Sequence, residues 1–292
     1  MDSNNNESSP LISVGMPVYN GGKGFEQSLK SIINQSYENL EILISDNHSN
    51  DITKEICEKY SKLDKRIKYF RQKLNIGGPK NFEFVLKKSN GKYFLWGASD
   101  DFHSENFIED NFLFLSKNQD FVGSTSINYL GKKNLKDNIF VDFSLEGNLF
   151  NRVKIFLKNA WFSHGIFYSL YRSEILKKCP NLNVEFLAYD WAINIFMINH
   201  GKINRSRKSY ILIGTEGTSN VNNFVKKAQI RKIEFFIPFY KFSILMIRYL
   251  ENLKIKEYIY IIYYLFKLNL GVFIKINLFS TNTLINKKNK NL

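Results

Sequence analysis

The chain has 292 residues, of which 44% are hydrophobic and 15% aromatic, and its formal net charge is +14. This composition supports a sizeable core and excludes a disordered chain. The two cysteines, Cys57 and Cys179, are far apart in the sequence, which argues against a zinc knuckle or a disulfide scaffold and suits a reducing compartment.

Neither a secretory signal nor a membrane-spanning helix is predicted. Residues 1–9 are polar, so we expect a short disordered tail there. The strongly apolar runs, such as 258–266, are much shorter than the roughly 20 residues that a spanning helix needs.

Short apolar runs alternate with helical patterns through the first hundred residues. The runs predict strands at 11–17, 40–45, 66–70 and 92–97, and apolar residues at helical spacing predict a helix after each of the first three. This alternation predicts a mainly parallel sheet covered by helices. In such sheets ligands bind beyond the carboxyl ends of the strands.

Polar loops follow all four predicted strands. They are PVYN at 17–20, SDNHSND at 45–51, NIGGPKN at 75–81 and ASDD at 98–101. Because parallel strands end at the same edge of a sheet, we expect the four loops to converge and to form a nucleotide site.

The remaining chain gives a less regular pattern. It predicts a helix at 111–116, a strand at 120–130, a helix at 148–159, a strand followed by a helix at 165–176, a helix at 188–202, a short strand at 211–214, and two long aromatic-rich helices beyond 221 with a turn near 250–254.

Three of the polar loops carry side chains suited to a nucleotide diphosphate. Asp100 and Asp101 are adjacent carboxylates, which repel each other unless a cation such as Mg²⁺ or Mn²⁺ compensates; the alternative is a turn with solvated acids. Asp46 can accept a hydrogen bond from a base or ribose, or can act as a turn or capping residue. The glycines before Lys80 allow close approach of a phosphate at a helix N-terminus, or form a simple turn.

The ordered set SVGMPVYN, ISDNHSNDIT, LNIGGPKN and GKYFLWGASDD resembles the family 2 glycosyltransferases of the GT-A fold. The resemblance covers roughly residues 10–220. It implies that Asp46 contacts the base, usually uracil, and that Asp100 and Asp101 contact ribose and a divalent metal. It further implies that the nucleotide-sugar pocket is lined by Pro17, Tyr19, Asn20, Asn75 and Gly77. Beside these residues, the ammonium of Lys80 can supply a point charge to the diphosphate.

The sequence departs from the family pattern at several positions. Ala98 and Ser99 stand where the first acid of the DxD element is expected, so metal ligation rests on fewer carboxylates. Lys80 replaces an arginine, and Glu216 lies where a histidine is often found. These departures affect the expected metal shell more than the expected fold.

Asp190, in LAYDWAINIF, matches the late catalytic acid of the family, with Tyr189 in place of the first acid of that pair. By resemblance it is the base that takes the proton of the acceptor hydroxyl in an inverting transfer. The alternative is a helix N-cap. His164 and Arg172 have two interpretations: residues that border the acceptor or the diphosphate, or a satisfied histidine and a solvated helix start, and the second is the expectation.

Trp161 and Trp191 are typical of either sugar stacking or core packing, and core packing is the expectation.

The C-terminal part is strongly basic and aromatic. Residues 201–292 contain 17 Lys/Arg and 4 Asp/Glu, a net charge of +13, whereas residues 1–200 carry +1. Residues 235–280 include thirteen Phe and Tyr. Two interpretations stay open: amphipathic helices that pack on the catalytic domain, or an interfacial anchor on an anionic membrane.

We therefore expect an α/β protein with a GT-A, Rossmann-like, mostly parallel sheet and flanking helices, plus a C-terminal helical extension. The expected parts are a tail at 1–9, a catalytic domain at 10–220, divided into a nucleotide-sugar half at 10–104 and an acceptor half at 105–220, and an extension at 221–292.

The expected activity is inverting, metal-dependent transfer from a nucleotide diphosphate sugar, in particular a UDP-sugar, to a glycan or lipid-linked acceptor of bacterial surface polysaccharide. The expected location is the cytoplasm, at the inner face of the membrane. The alternatives are a sugar nucleotidyltransferase or an inactive transferase-like scaffold. A nucleic-acid-binding role is not expected, because the basic charge lies on no recognisable nucleic-acid module.

Overall fold

The computed structural model describes residues 9–130, 139–214 and 232–288. Most of the predicted tail, the loop containing Glu216 and the predicted boundary at 220/221 lie outside these residues. The strands are β1 (Ile12–Val18), β2 (Leu40–Asp46), β3 (Ile67–Arg71), β4 (Tyr93–Trp96), β5 (Phe102–His103), β6 (Phe121–Leu130), β7 (Ile139–Val141), β8 (Leu170–Arg172) and β9 (Lys202–Ile213).

Helices separate most of the strands. They are α1 (Gly22–Ile33), α2 (Thr53–Leu63), α3 (Gly78–Lys88), α4 (Phe107–Lys117), α5 (Leu149–Asn159), α6 (His164–Phe167), α7 (Ser173–Leu176), α8 (Tyr189–His200), α9 (Lys232–Phe236), α10 (Tyr240–Tyr249) and α11 (Ile255–Lys288). The three helices predicted in the first hundred residues and the turn predicted at 250–254 are present. Where two long C-terminal helices are predicted, the described residues form α9 with 5 residues, α10 with 10 and α11 with 34.

The strands form one sheet in the order β3-β2-β1-β4-β8-β6-β9-β5, with β7 paired to β6. The strands β1 to β4 are mutually parallel, and β8 runs antiparallel to β4. Every residue of β1 and β2 is buried, as expected for strands covered by helices on both faces. The predicted parallel half of the sheet is therefore present, and its four carboxyl ends share one edge.

The two faces of the sheet belong to two hydrophobic clusters. Alternate residues of β4 divide between them, because successive side chains of a strand point to opposite faces. Phe94 and Trp96 join the cluster that contains α3, α5, α8 and the C-terminal helices, whereas Tyr93 and Leu95 join the cluster that contains α1, α2 and α4.

Glycine at one position of β1 lets α3 approach the sheet closely. A Cβ at Gly15 would lie 2.7 Å from the Phe94 ring and 2.7 Å from Val85 of α3. Because interiors are close-packed, such contacts require the backbone to move apart. Gly15 thus fixes the height of α3, whose N-terminus faces the edge where the strands end.

The C-terminal helices pack on the catalytic half of the chain through a minority of their apolar residues. Phe242 and Met246 of α10 and Ile261 and Leu265 of α11 are buried in the same cluster as α8. The hydroxyl of Tyr264 donates a hydrogen bond to a carbonyl of α5. This packing accounts for one side of each helix.

Two predicted segments differ from the structure. The segment 165–176 begins with a helical turn, α6, before the short strand β8 and helix α7. The last strand, predicted at 211–214, extends over twelve residues as β9. The polar first half of β9 includes Arg205, which is buried. Its guanidinium donates hydrogen bonds to the carbonyls of Phe143 and Ser126. Paired polar groups of this kind are buried without an apolar sequence signal.

Within the described chain, one helical stretch, Ile255–Lys275, is long and apolar enough to cross a bilayer by length and composition alone. The most apolar 18-residue window of this stretch has a mean hydropathy of 1.3, and 17% of that window is buried. The expectation that no helix spans a membrane stays a prediction, because length and composition alone do not show that this helix crosses a bilayer.

Candidate active site

Strand β1 lies between β2 and β4, so the loops after β2 and β4 flank it at the carboxyl edge. Val18 pairs with Asp46 on one side, and Gly15 pairs with Trp96 on the other. Two strand spacings correspond to about 10 Å. The Asp46 loop and the Asp100–Asp101 loop therefore belong to one rim and are close enough to contact a single nucleotide diphosphate.

Asp46 is fully buried at 0% exposure, and both of its carboxylate oxygens are already paired. Oδ1 accepts the backbone N–H of Ser49 at 2.7 Å, and Oδ2 accepts the Tyr69 hydroxyl at 3.0 Å and Arg71 Nη1 at 2.7 Å. The Arg71 side chain is 31% exposed. Arg71, which the sequence analysis does not identify, is thus a partly exposed partner of Asp46, and its Nη2 donates to the carbonyl of Ser49. The direct contact of Asp46 with a base stays a prediction.

Asparagine side chains join the loops after β2 and β3. Asn47 Nδ2 donates to Asn75 Oδ1 at 3.0 Å, and Asn47 Oδ1 accepts the backbone N–H of Ile76 at 2.8 Å. Asn75 Oδ1 also accepts the backbone N–H of Gly77 at 2.9 Å. These bonds hold the predicted pocket residue Asn75 next to the start of α3.

The N-terminus of α3 is open to solvent. Gly77 precedes the helix with a φ of 84°, a conformation that favours glycine, and a Cβ placed there would meet nothing within 4 Å. Lys80 is exposed in the first turn. Unpaired N–H groups at a helix start attract anions, and here a lysine stands beside them.

The loop after β1 contributes the other predicted pocket residues. Pro17 lies inside β1 opposite Ser45, and Tyr19 is exposed. Asn20 has a φ of 51°, donates its N–H to Ser49 Oγ at 2.9 Å and accepts the N–H of Asn50 at 2.9 Å. These bonds hold the first two loops together, with Tyr19 at the surface between them.

Asp101 is an incompletely paired carboxylate in the interior. It is 1% exposed, its Oδ1 accepts the backbone N–H of Gly214 at 2.9 Å, and its Oδ2 has no hydrogen-bond partner. Burial raises the pKa of Asp101 to about 8, and the charge of Asp100 adds to the increase. A buried carboxylate oxygen without a partner, next to a second carboxylate, is suited to a cation.

His164 stands at the same site. Its Nε2 lies 3.9 Å from Asp101 Oδ2, and its side chain is 31% exposed. Burial lowers the pKa of His164, while the charges of Asp190 and Asp100 oppose the decrease. The histidine is thus electrostatically coupled to the predicted metal ligands and to the predicted base. No local spacing identifies it in the sequence, because only the fold brings α6 to the loop after β4.

Asp190 lies in the first turn of α8, but it is not the N-cap. The N-cap is Ala188, which has a φ of 62°, so the alternative that places Asp190 at the N-cap position is wrong, although its carboxylate interacts with backbone N–H groups of the first turn. Burial raises the pKa of Asp190, and the neighbouring His164 and backbone N–H groups oppose the increase. A carboxyl whose pKa is raised accepts a proton more readily than an ordinary aspartate.

Trp161 contradicts the expectation of core packing, whereas Trp191 conforms to it. Trp191 is buried and stacks on Phe239, with ring centroids 5.4 Å apart. Trp161 packs edge-on against Trp191, with 5.2 Å between the centroids, and is 58% exposed. Trp161 lies three residues before His164 in the sequence, and its ring contacts Trp191, the residue that follows Asp190.

Arg172 has a structural role rather than that of a solvated helix start. It is buried and donates to the carbonyls of Phe121, Leu115 and Asn118. Its guanidinium is therefore occupied in joining β8 to the end of α4.

The residues that could hold a divalent cation are two carboxylates rather than a complete protein cage. Among the described residues, no three His, Cys, Asp or Glu side chains are close enough together to hold a metal ion. Mg²⁺ and Mn²⁺ sites of nucleotide enzymes commonly use one or two carboxylates with substrate phosphates. The Asp100–Asp101 pair, with the unpaired Asp101 Oδ2, matches that requirement.

The sequence profile described as "Glycosyl transferase family 2" matches residues 13–179. The chain belongs to this family. The match begins in β1 and ends after α7, so it contains the Asp46 and Asp100–Asp101 loops and His164. The predicted family is confirmed.

Family 2 relatives match the chain over part of its length. An uncharacterized glycosyltransferase of Haemophilus influenzae is 41% identical over 112 residues, which are 38% of this chain and 35% of that protein. Glycosyltransferase GlyG of Streptococcus pneumoniae is 35% identical over 101 residues, which are 35% of this chain and 34% of that protein. Each match spans about a third of the relative's length.

Solved structures support the predicted GT-A fold of this family 2 member. S. aureus TarS 1–349 in complex with UDP-GlcNAc has a TM-score of 0.55 at 21% identity, with 77% of this chain and 66% of that chain covered. The mannosyltransferase PcManGT from Pyrobaculum calidifontis, in complex with GDP-Man and Mn²⁺, has a TM-score of 0.55 at 14% identity, with 76% and 62% covered. At these identities the similarity establishes the fold alone.

Proposed function

We propose that this family 2 protein is an inverting glycosyltransferase that moves a sugar from a nucleotide diphosphate, in particular UDP, to an acceptor hydroxyl. The observation that carries the proposal is the convergence of Asp100, Asp101, His164 and Asp190 at the carboxyl edge of the parallel strands. The structures of TarS with UDP and UDP-GlcNAc add support for a uridine nucleotide.

The donor's diphosphate binds, in this proposal, between the N-terminus of α3 and the loop after β4. The open backbone at Gly77 and the ammonium of Lys80 supply positive potential on one side. The base occupies the rim formed by Tyr19, Asn75 and Arg71, where Arg71 is held by Asp46. Each of these groups lies on a loop fixed by hydrogen bonds between neighbouring loops.

A divalent cation, Mg²⁺ or Mn²⁺, fits the Asp100–Asp101 pair because one buried Asp101 oxygen has no other partner. These two carboxylates would hold it together with donor phosphates. The bound cation would neutralise negative charge on the departing diphosphate. The PcManGT structure contains Mn²⁺ together with its GDP-sugar, which supports a metal in this family.

Asp190 acts as the general base in the proposed transfer. Its carboxylate takes the proton of the acceptor hydroxyl as that oxygen bonds to the anomeric carbon. The bond from the anomeric carbon to the diphosphate oxygen breaks on the opposite face, so the configuration inverts. The raised pKa of Asp190 suits this role, because the protonated form is then accessible during turnover.

The acceptor is a carbohydrate, and Trp161 is its proposed stacking surface. An exposed indole that contacts the residue following Asp190 can pack on the apolar face of a sugar ring. We assign the acceptor to glycans or lipid-linked sugars of bacterial surface polysaccharide, made in the cytoplasm at the inner face of the membrane.

A donor screen tests the proposal. Purified protein is incubated with a panel of nucleotide sugars, Mn²⁺ and candidate glycan acceptors, and the released nucleotide is identified by chromatography. We expect nucleoside diphosphate, with UDP-sugars the best donors, and release slower by about 10²–10⁴-fold in Asp190→Asn. Release of pyrophosphate would instead indicate the nucleotidyltransferase alternative. Absence of heat on titration with every donor would indicate an inactive scaffold, for which the replacement of one DxD acid by Ala98-Ser99 is the motivating observation.

A further inference from the structure

One face of α11 exposes a continuous row of large apolar side chains. The residues of this apolar stripe are Ile255, Ile259, Ile262, Tyr263, Phe266, Leu270 and Ile274. Their spacing of four, three, one, three, four and four residues keeps them on one side of a helix with 3.6 residues per turn. The opposite side carries Ile261, Leu265 and Val272, which are buried against the catalytic half of the chain.

The segment from α9 through the following turn to α10 exposes a second apolar row. It comprises Ile233, Phe236, Ile237, Tyr240, Ile244 and Ile247. The rings of Phe236 and Phe273 lie 6.4 Å apart, and Asn269 of α11 accepts the backbone N–H of Phe239 at 2.8 Å. The two rows therefore belong to one helical unit, and each points away from the buried side of its own helix.

Such an area requires a covering surface. Contiguous exposed apolar patches of soluble monomers rarely exceed a few hundred Å². The two rows contain thirteen large apolar side chains within the described residues 232–275. Isolated exposed apolar residues need no explanation, but two rows on adjacent helices do.

Charge identifies the cover as an anionic lipid surface. Lys256 and Lys267 each follow a stripe residue directly, so each lies about 100° around the helix from it, along one border of the stripe. Residues 201–292 carry a net charge of +13. A second copy of this chain would bring like charges together, whereas anionic headgroups complement basic residues that border an apolar face.

The attachment of α11 determines how it meets the bilayer. Ile261 and Leu265 are buried in the protein, and Tyr264 and Asn269 make hydrogen bonds to residues outside the helix. A spanning helix would be surrounded by lipid and would lose these contacts. With one side attached to the catalytic half of the chain, α11 is suited to lie along the interface.

We propose that the apolar stripe inserts into the boundary between headgroups and acyl chains of an anionic membrane, with α11 lying parallel to the surface. The inference does not rest on the donor or on catalysis, because it uses no residue of the candidate active site. It makes the protein a peripheral membrane protein.

Vesicle flotation of the full chain tests the proposal. The vesicles contain phosphatidylcholine alone or with about one third phosphatidylglycerol. The stripe variant is Ile259→Ser with Phe266→Ser, and the matched control is Leu63→Ser with Leu113→Ser, which removes two exposed apolar side chains from α2 and α4. We expect the unaltered protein and the control to float with anionic vesicles, and the stripe variant to bind more than about tenfold more weakly.

Three results would overturn the proposal. One is equal flotation of the stripe variant and the unaltered protein, with unchanged circular dichroism of both. The second result is that the unaltered protein is a dimer in solution and does not bind vesicles, whereas the stripe variant is a monomer. A second copy of the chain would then be what covers the apolar stripe. The third is retention of the unaltered protein in vesicles at alkaline pH, where peripheral proteins are released, which would indicate a spanning helix. Donor binding by the stripe variant is measured separately, without vesicles. Unchanged donor binding would show that a failure of the membrane proposal is independent of the proposed activity.

Discussion

His164 Nε2 lies 3.9 Å from Asp101 Oδ2, and Asp190 lies in the first turn of helix α8. The imidazole therefore contacts the carboxylate predicted to hold the metal, and it is electrostatically coupled to the carboxylate proposed as the base. The donor half and the acceptor half of the site are thus joined through a single side chain.

The first prediction concerns the proposed base. Asp190→Asn keeps the size of the side chain but removes its ability to take a proton, so kcat should fall by about 10²–10⁴-fold. Donor affinity, measured by calorimetry, should stay unchanged. The control is Asp120→Asn, which changes a carboxylate paired with Lys202 far from the site. Retained turnover in Asp190→Asn would refute the role of this residue.

The second prediction concerns pH dependence. Burial raises the pKa of Asp190, and the base must be ionised to accept a proton. We therefore expect kcat/KM to increase with pH, with a midpoint above the ordinary pKa of an aspartate, about 3.9. The residual rate of Asp190→Asn should not show this increase with pH. A profile that is flat down to the ordinary value would contradict the raised pKa.

The third prediction is a gain in stability. The folded pKa of Asp101 is raised from 3.8 to about 8, so between these values the folded state binds more protons than the unfolded state, and stability falls as pH rises. In metal-free protein at pH 8, Asp101→Asn should raise the free energy of unfolding by roughly 1 kcal/mol or more. Thermal unfolding should show this as an increase in Tm, because each kcal/mol corresponds to about 2–4 °C in a protein of this size.

Asp64 is the matched control for that prediction, because its shift has the opposite sign. Hydrogen bonds from Arg66 lower the pKa of Asp64, so its ionised form contributes stability above the unfolded pKa. Asp64→Asn should therefore lower the Tm at pH 8. Equal changes of Tm in the two variants would mean that Asp101 is not strained by its burial.

The fourth prediction uses the close contact between β9 and the metal loop. A Cβ at Gly214 would lie 2.3 Å from Asp100 Oδ2 and 2.5 Å from the Asp100 carbonyl oxygen. Gly214→Ala should displace Asp100 and weaken metal-dependent donor binding by more than about tenfold, as measured by calorimetry with Mn²⁺. Gly271→Ala is the control, since a Cβ there meets nothing within 4 Å. Equal donor affinity in both variants would exclude Asp100 from the donor site.

The fifth prediction concerns the acceptor. Trp161 is mostly exposed, so Trp161→Ala should leave the fold intact and raise the acceptor KM, with donor hydrolysis in the absence of acceptor unchanged. Phe114→Ala, in a ring pair on the opposite side of the sheet, is a control for general loss of an aromatic side chain. An increase in donor KM alone would place Trp161 on the donor side.

The convergence of the polar loops could be predicted because it follows from strand direction alone. Alternating strands and helices require parallel pairing, and parallel pairing brings the ends of β1 to β4 to one edge. The family motifs follow the same order along the chain. These features are local in sequence, and the structure reproduces them.

The partners of the site residues could not be predicted in the same way. Arg71 meets Asp46, and His164 meets Asp101, only because separate elements are folded against each other. The exposure of Trp161 depends on Trp191 occupying the interior beside it. Contacts between distant segments leave no periodic pattern of apolar residues in the sequence. For the same reason the sequence does not predict the polar first half of β9 as a strand.

Helix α8 has two attachments. Its first turn bears Asp190, and its buried side is covered by Phe242 and Met246 of α10. Because α8 is packed along its side against α10, its first turn stays at a fixed distance from any membrane surface that α11 contacts. The reacting hydroxyl of a membrane-anchored acceptor would have to lie at this same distance from the membrane surface. Helix α8 would therefore select acceptors by the length of the segment between the anchor and the reacting hydroxyl.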